Sequence, residues 1–134
     1  MNKAMLSAAM LLLPVAHSQA DSLIESNHFL CATTRVSLCF ENGECFAVMP
    51  WEVSVPEFLK IDMDGNAVST TEASGTVRAT KFQSSQRQNG QITLTGAEPG
   101  RAFSFVIHEA TGLLTASVAR DGYAISAFAN CTAG

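Results

Sequence analysis

The sequence predicts an all-β fold: one antiparallel meander of about eight or nine strands, closed or nearly closed into a small barrel, with a β-sandwich as the alternative. Three observations lead there. Short apolar-polar alternations take the place of helical periodicity. Turn-forming residues recur at strand-length intervals. Four cysteines stand in a chain whose first residues read as an export signal, the setting in which disulfides form.

That signal is the opening MNKAMLSAAMLLLPVAHSQADS, with Lys3 before an apolar run from Ala4 to Val15 and small residues Ser18 and Ala20 around a cleavage point after Ala20. The run is shorter than the roughly 20 residues that span a bilayer, so the reading is a removed leader over 1–20 and not an anchor. The remainder, 21–134, holds 114 residues, one domain's worth. It carries seven Lys or Arg against twelve Asp or Glu, scattered without a basic run. Nucleic acid is therefore excluded as an expected partner, and no basic amphipathic helix addresses a membrane surface. The expected location is the periplasm of a Gram-negative source, or otherwise the medium.

Strands are expected at about 28–40, 44–49, 53–63, 67–72, 77–87, 91–97, 101–109, 113–120 and 123–130. The turns between them are Asn42-Gly43, Asp64-Gly65-Asn66, Asn89-Gly90, Pro99-Gly100, Thr111-Gly112 and Asp121-Gly122, all built from residues suited to turn conformations. Pro50 and Pro56 cannot donate ladder hydrogen bonds and put the Trp51 region at an edge or bend. Period-two patterns place Phe103, Phe105 and Ile107 on one face. Phe46, Phe103, Phe105 and Phe128 are expected to fill the interior, while Ala124, Ala127 and Ala129 leave room on the last strand.

The cysteine pairing follows from register. A two-residue Asn42-Gly43 turn would put Cys39 and Cys45 on opposite faces. A three-residue Glu41-Asn42-Gly43 loop, with Gly43 left-handed, sets them directly opposite one another and pairs Leu38 with Phe46 and Val36 with Val48. Cys31 and Cys39 are eight residues apart on one strand, roughly 26 Å, and cannot bond. Elimination leaves Cys39 with Cys45 and Cys31 with Cys131, the second joining the first strand to the tail just past the last one. The spacing C-x5-C lacks the knuckle of a zinc site and the C-x-x-C of a redox pair, so structural disulfides are expected.

Catalytic signatures are missing. His28 and His108 are the histidines beyond the leader, and neither H-E-x-x-H nor G-x-S-x-G occurs. Ser104 and His108 share a strand face about 13 Å apart, too far for a nucleophile and its base. The Asp62-Asp64-Gly65-Asn66 stretch fails as a calcium loop, since Lys60 and Thr71 fall where acidic ligands are required, and reads as a turn. No metal and no cofactor is expected. Candidate binding residues are Trp51, at a ligand mouth or a partner surface or else plugging the end of the core, and Arg35 with Arg101, which would hold an anion if their strands were neighbours. The segment from Ser69 to Gly75 offers hydroxyls either to a glycan or peptide or to a solvated turn.

The expected function is a non-enzymatic exported binding or interaction module of unknown specificity, its partner an unknown exported protein or a small apolar ligand. Alternatives are a carrier of a small apolar ligand, an accessory subunit of an envelope complex, or an enzyme of unrecognised class. A continuous cavity of a few hundred Å³ would favour the carrier and close packing a protein-interaction role; an exposed apolar patch or unpaired edge strand would favour the subunit.

Overall fold

The computed structural model describes residues 23–75 and 77–134; the leader predicted over 1–20 lies outside them. The described chain is all-β, with ten strands: β1 (His28–Phe40), β2 (Cys45–Val48), β3 (Phe58–Asp62), β4 (Ala67–Thr70), β5 (Ala79–Lys81), β6 (Ser84–Gln88), β7 (Gln91–Glu98), β8 (Arg101–His108), β9 (Leu113–Arg120) and β10 (Tyr123–Ala133). They form one antiparallel sheet in the order β5-β4-β3-β1-β10-β9-β8-β7-β6, with β2 added alongside β1. The sheet curls into a half-barrel. Its two end strands follow one another in sequence through Phe82-Gln83, whose N–H groups donate to Asn66 O at 2.8 Å and to Thr95 O at 2.8 Å.

All six turn sites read from the sequence connect strands where expected. Three strand boundaries differ. The strand expected over 53–63 begins only at Phe58, because Pro50–Val53 forms a 3-10 turn and Ser54 follows it at a left-handed φ of 56°. The strand expected over 77–87 is two strands, since the chain leaves the β4 edge at Phe82 to start pairing with β7. The last strand runs on to Ala133, so Cys131 lies within β10 and not beyond it.

Both disulfides are the ones elimination selects. Cys39 pairs across the ladder with Cys45, Leu38 with Phe46 and Val36 with Val48. The loop between them has three residues: Phe40 N–H donates to Glu44 O at 2.9 Å, Gly43 N–H donates to Phe40 O at 3.0 Å, and Gly43 adopts φ 88°. Cys31 faces Cys131 across the β1–β10 ladder, and both are buried. Two bridges of this kind persist in an oxidising compartment. No helix among the described residues is long and apolar enough to cross a membrane.

Side-chain alternation divides the sheet into an apolar inner face and a mostly polar outer face. Phe29, Cys31, Val36, Ile61, Ile92, Leu94, Phe103, Phe105, Ile107, Leu114, Ile125 and Ala127 are all buried. Phe128 does not join them. Ile125, Ala127 and Ala129 take the inward positions of β10, which turns Phe128 outward opposite Arg35 and leaves it 40% exposed; Ala124 is outward by the same parity. Phe46 has the inward parity but lies on the short β2, past the covering strands, and is 50% exposed.

One end of the half-barrel is sealed and the other open. At the sealed end Leu23 is fully buried, its N–H donates to Glu109 O at 2.9 Å, and buried Glu109 faces Arg87 at 3.6 Å. At the open end β1 carries a bulge between Thr33 and Arg35, where it exchanges β3 for β2 as its neighbour. The gap is filled by the segment after the 3-10 turn. Thr33 N–H donates to Glu57 O and Thr33 Oγ1 to Pro56 O, each at 2.8 Å, and this lays Trp51 and Ser54 on the rim. A bulge bends its strand and frees ladder groups, which is what docking that segment requires.

Candidate functional site at the open end

Inside the open end is a narrow cavity of about 80 Å³ whose lining includes Val68, Phe103, Phe105, Leu114, Ala127 and Ala129. Beside it lies a vestibule of about 370 Å³ bounded by Trp51, Pro56, Glu57, Thr70, Ser74 and Arg78. Ser54, Val55, Pro56, Thr70 and Arg78 line both spaces, so cavity and vestibule adjoin.

Arg78 stands at that junction, Arg101 lines the cavity, and Glu98 is bonded to Arg101. Strand alternation carries Ile92, Leu94 and Gly96 on to Glu98, and Ile107, Phe105 and Phe103 back to Arg101, so both charges point inward from either side of the Pro99-Gly100 turn. Glu98 Oε2 accepts from both Nε and Nη2 of Arg101, and Glu98 Oε1 accepts from the Thr80 hydroxyl. The pair is largely buried, with 15% and 18% of the two side chains exposed. Glu98 is thus fully engaged.

Arg78 is not matched in the same way. Its Nη2 donates to Ser54 O at a long 3.4 Å, and no carboxylate of the described residues lies within 4.0 Å of it. Burial, and then the positive charge of Arg101, lower its pKa from the ordinary guanidinium value, while Glu98 acts in the opposite direction. An arginine so placed remains charged at neutral pH and is under-compensated. Glu57 is on the exposed outer rim and does not pair with it.

Glu98→Gln is expected to lower the unfolding free energy by about 2 to 3 kcal/mol, because the change leaves Arg101 in a largely buried position with no counter-charge beside Arg78. Urea denaturation of the two proteins at neutral pH measures the difference; equal midpoints would show that solvent screens the cluster.

The sequence-derived candidates separate in space. Trp51 is 64% exposed and plugs nothing; it forms the vestibule rim. Arg101 lines the cavity, whereas Arg35 projects from the outer face of β1, and β10 and β9 stand between their strands. The structure brings Arg78 to Arg101 in place of Arg35. Of the hydroxyl-rich segment, Ser74 Oγ is tied to the backbone of Phe58, accepting from its N–H at 3.1 Å and donating to its carbonyl at 3.0 Å, while Arg78 N–H donates to Thr70 Oγ1 at 2.8 Å. These hydroxyls hold the rim in shape.

Register also assembles a group the sequence reading missed. β1 sets His28 opposite Asp62, so His28 Nδ1 lies 3.5 Å from Asp62 Oδ1 and Nε2 lies 3.2 Å from Asp64 Oδ2. The two carboxylates belong to the turn expected there, where Gly65 N–H donates to Asp62 Oδ1 at 2.9 Å. The imidazole links the start of β1 to that turn at the sealed end. His108 is exposed and its Nδ1 is 3.0 Å from Thr111 Oγ1.

Beyond the mouth, the open end carries a run of exposed apolar side chains: Phe46 at 50%, Met49 at 50% and Trp51 at 64%. Phe40 contacts both Phe46 and Tyr123, with ring centroids 6.3 and 6.1 Å apart, and the Arg120 guanidinium lies 5.5 Å above the Tyr123 ring. The edge of β2 away from β1 pairs with no described strand. The fold and site define a disulfide-braced all-β domain with one sealed end and one open, apolar-rimmed end. No protein-family model matches the chain, and none of the curated proteins or solved structures matches it.

Proposed function

We propose that the protein is an exported, non-enzymatic interaction module that docks another protein at its open end. The observation that carries this reading is the exposure of Phe46 on β2, Trp51 in the adjoining 3-10 turn and Met49 between them. Large apolar side chains grouped beside an unpaired strand edge are how a sheet protein presents a binding surface. The contrast with the other end of the sheet supports it: edge strand β6 reads Ser-Ser-Gln-Arg-Gln and is exposed throughout, a composition that discourages pairing. The carrier reading has less support, since pockets for small apolar ligands are usually about 300 to 1,000 Å³ and the interior space is about 80 Å³.

The test is site-specific photocrosslinking in the native compartment. A crosslinking amino acid at position 51 is expected to capture one protein species in fixed stoichiometry, and the same label at Thr115, exposed on the outer face of β9, to capture none. Capture of the same species from both positions, or of no protein from position 51, would overturn the reading.

A further inference from the structure

We propose that the mouth receives the C-terminal residue of the partner chain, with its carboxylate paired to Arg78 and its small apolar side chain in the inner cavity. This rests on the docking reading above and names the chemistry of the docked group.

Charge selects an anion. Among Arg78, Arg101 and Glu98 the balance is one positive charge, and the only carboxylate of the three is held by Arg101 and Thr80. Arg78 lines both the cavity and the vestibule, so an anion entering from outside meets it before the apolar walls. A guanidinium pairs a carboxylate through two parallel N–H donors, a contact that no carboxylate of the described residues makes with Arg78. The domain is otherwise acidic, twelve Asp or Glu against seven Lys or Arg after the leader, which makes this cationic spot a local exception.

Shape selects a chain terminus. A cavity of about 80 Å³ is roughly half the 150 Å³ that accommodates benzene, room for about three or four carbons. Away from Arg78 and Arg101 its lining includes apolar Phe105, Leu114, Ala116 and Ala129. An internal Glu or Asp entering side chain first would drive its charge among them. At a C-terminal residue the carboxylate and the side chain branch from one Cα, so the carboxylate stays at Arg78 while an Ala or Val side chain goes deep. A free short-chain acid meets the same two requirements but leaves the vestibule of about 370 Å³ unfilled, where a peptide has its preceding residue to place beside Trp51.

Gly96 supplies a way to close the cavity without touching the charges. A Cβ there would lie 2.4 Å from Cζ of Phe103, and the cheapest relief is movement of that ring into the cavity it lines.

Calorimetric titration of the oxidised domain with N-acetyl-Gly-Ala-Val, its C-terminal amide and butanoate tests the proposal. The free-acid peptide is expected to bind at least tenfold more tightly than the amide and than butanoate. Arg78→Met and Gly96→Ala are each expected to weaken it at least tenfold, and Arg35→Met on the outer face to leave it unchanged. Thermal melts establish that each variant is folded; if Arg78→Met does not fold, the acid against amide comparison on the unaltered protein decides. Equal affinity for acid and amide, or unaltered binding by folded Arg78→Met, overturns the proposal. Butanoate binding as tightly as the peptide overturns the chain terminus in favour of a free acid. Crosslinking from position 51 with no preference for the acid removes this site and leaves the docking reading intact; the preference without a crosslink does the reverse.

Discussion

Replacing Cys31 and Cys131 together by alanine is expected to cost about 4 to 5 kcal/mol, and to lower the melting temperature by about 20 °C for a domain of this size. The bridge closes a loop with a sequence separation of 100, against 6 for Cys39 and Cys45. In the chain-entropy account the short loop is worth about 2 kcal/mol, so the Cys39→Ala/Cys45→Ala variant should lose less than half as much. Location adds to the difference. Cys31 and Cys131 are in the buried core, while Cys39 is half-buried and Cys45 exposed, so only the first pair leaves a void when truncated. A domain of this kind has a total stability of about 5 to 15 kcal/mol, so loss of the long bridge takes a large share of it. Chemical denaturation of the two double variants measures both values. Equal losses would show that the denatured chain is already compact enough to make loop length irrelevant.

The same pairing shows what the sequence made legible. Cys39 to Cys45 could be solved because two demands, opposed sulfurs and a shared apolar face, both required the three-residue loop. Turn chemistry was equally local, and each Gly- or Asn-containing turn fell between strands. Arg101 and Glu98 were also within reach. Extending the alternation of Phe103, Phe105 and Ile107 back by one step lands on Arg101, and that of Ile92, Leu94 and Gly96 forward by one step lands on Glu98. Arg78 was not, because it precedes the three-residue β5 and no pattern that short defines a face. The contact between His28 and Asp62 likewise depends on β1 pairing with β3, past β2, which no local signal encodes. Parity over the bulge at Thr33 and Arg35 is the general obstacle: one inserted residue, Thr34, inverts which side chains of β1 face inward.

Gly112→Ala is expected to cost about 3 kcal/mol, where the same change at Gly100 costs about 1 kcal/mol. Both glycines have positive φ, 73° and 82°, so both substitutions carry the penalty of a left-handed L-residue. The surroundings differ. A Cβ at Gly100 would meet nothing within 4 Å, whereas one at Gly112 would lie 2.1 Å from the carbonyl oxygen of Cys131. That oxygen belongs to backbone and cannot swing aside as a side chain does. Cys131 N–H donates to Gly112 O at 2.8 Å, Gly112 N–H donates to His108 O at 2.8 Å, and the Cys131 sulfur is bonded to Cys31. Relief therefore requires the end of β10 to move away from the β8–β9 turn against the disulfide. This makes the two sites energetically coupled. With Cys31 and Cys131 replaced by alanine, β10 is freer to shift, and Gly112→Ala is expected to cost at least 1 kcal/mol less than it does in the bridged protein. A double-mutant cycle by urea denaturation measures the coupling. Strict additivity would mean that the turn itself yields, and that the disulfide does not hold β10 in place against it.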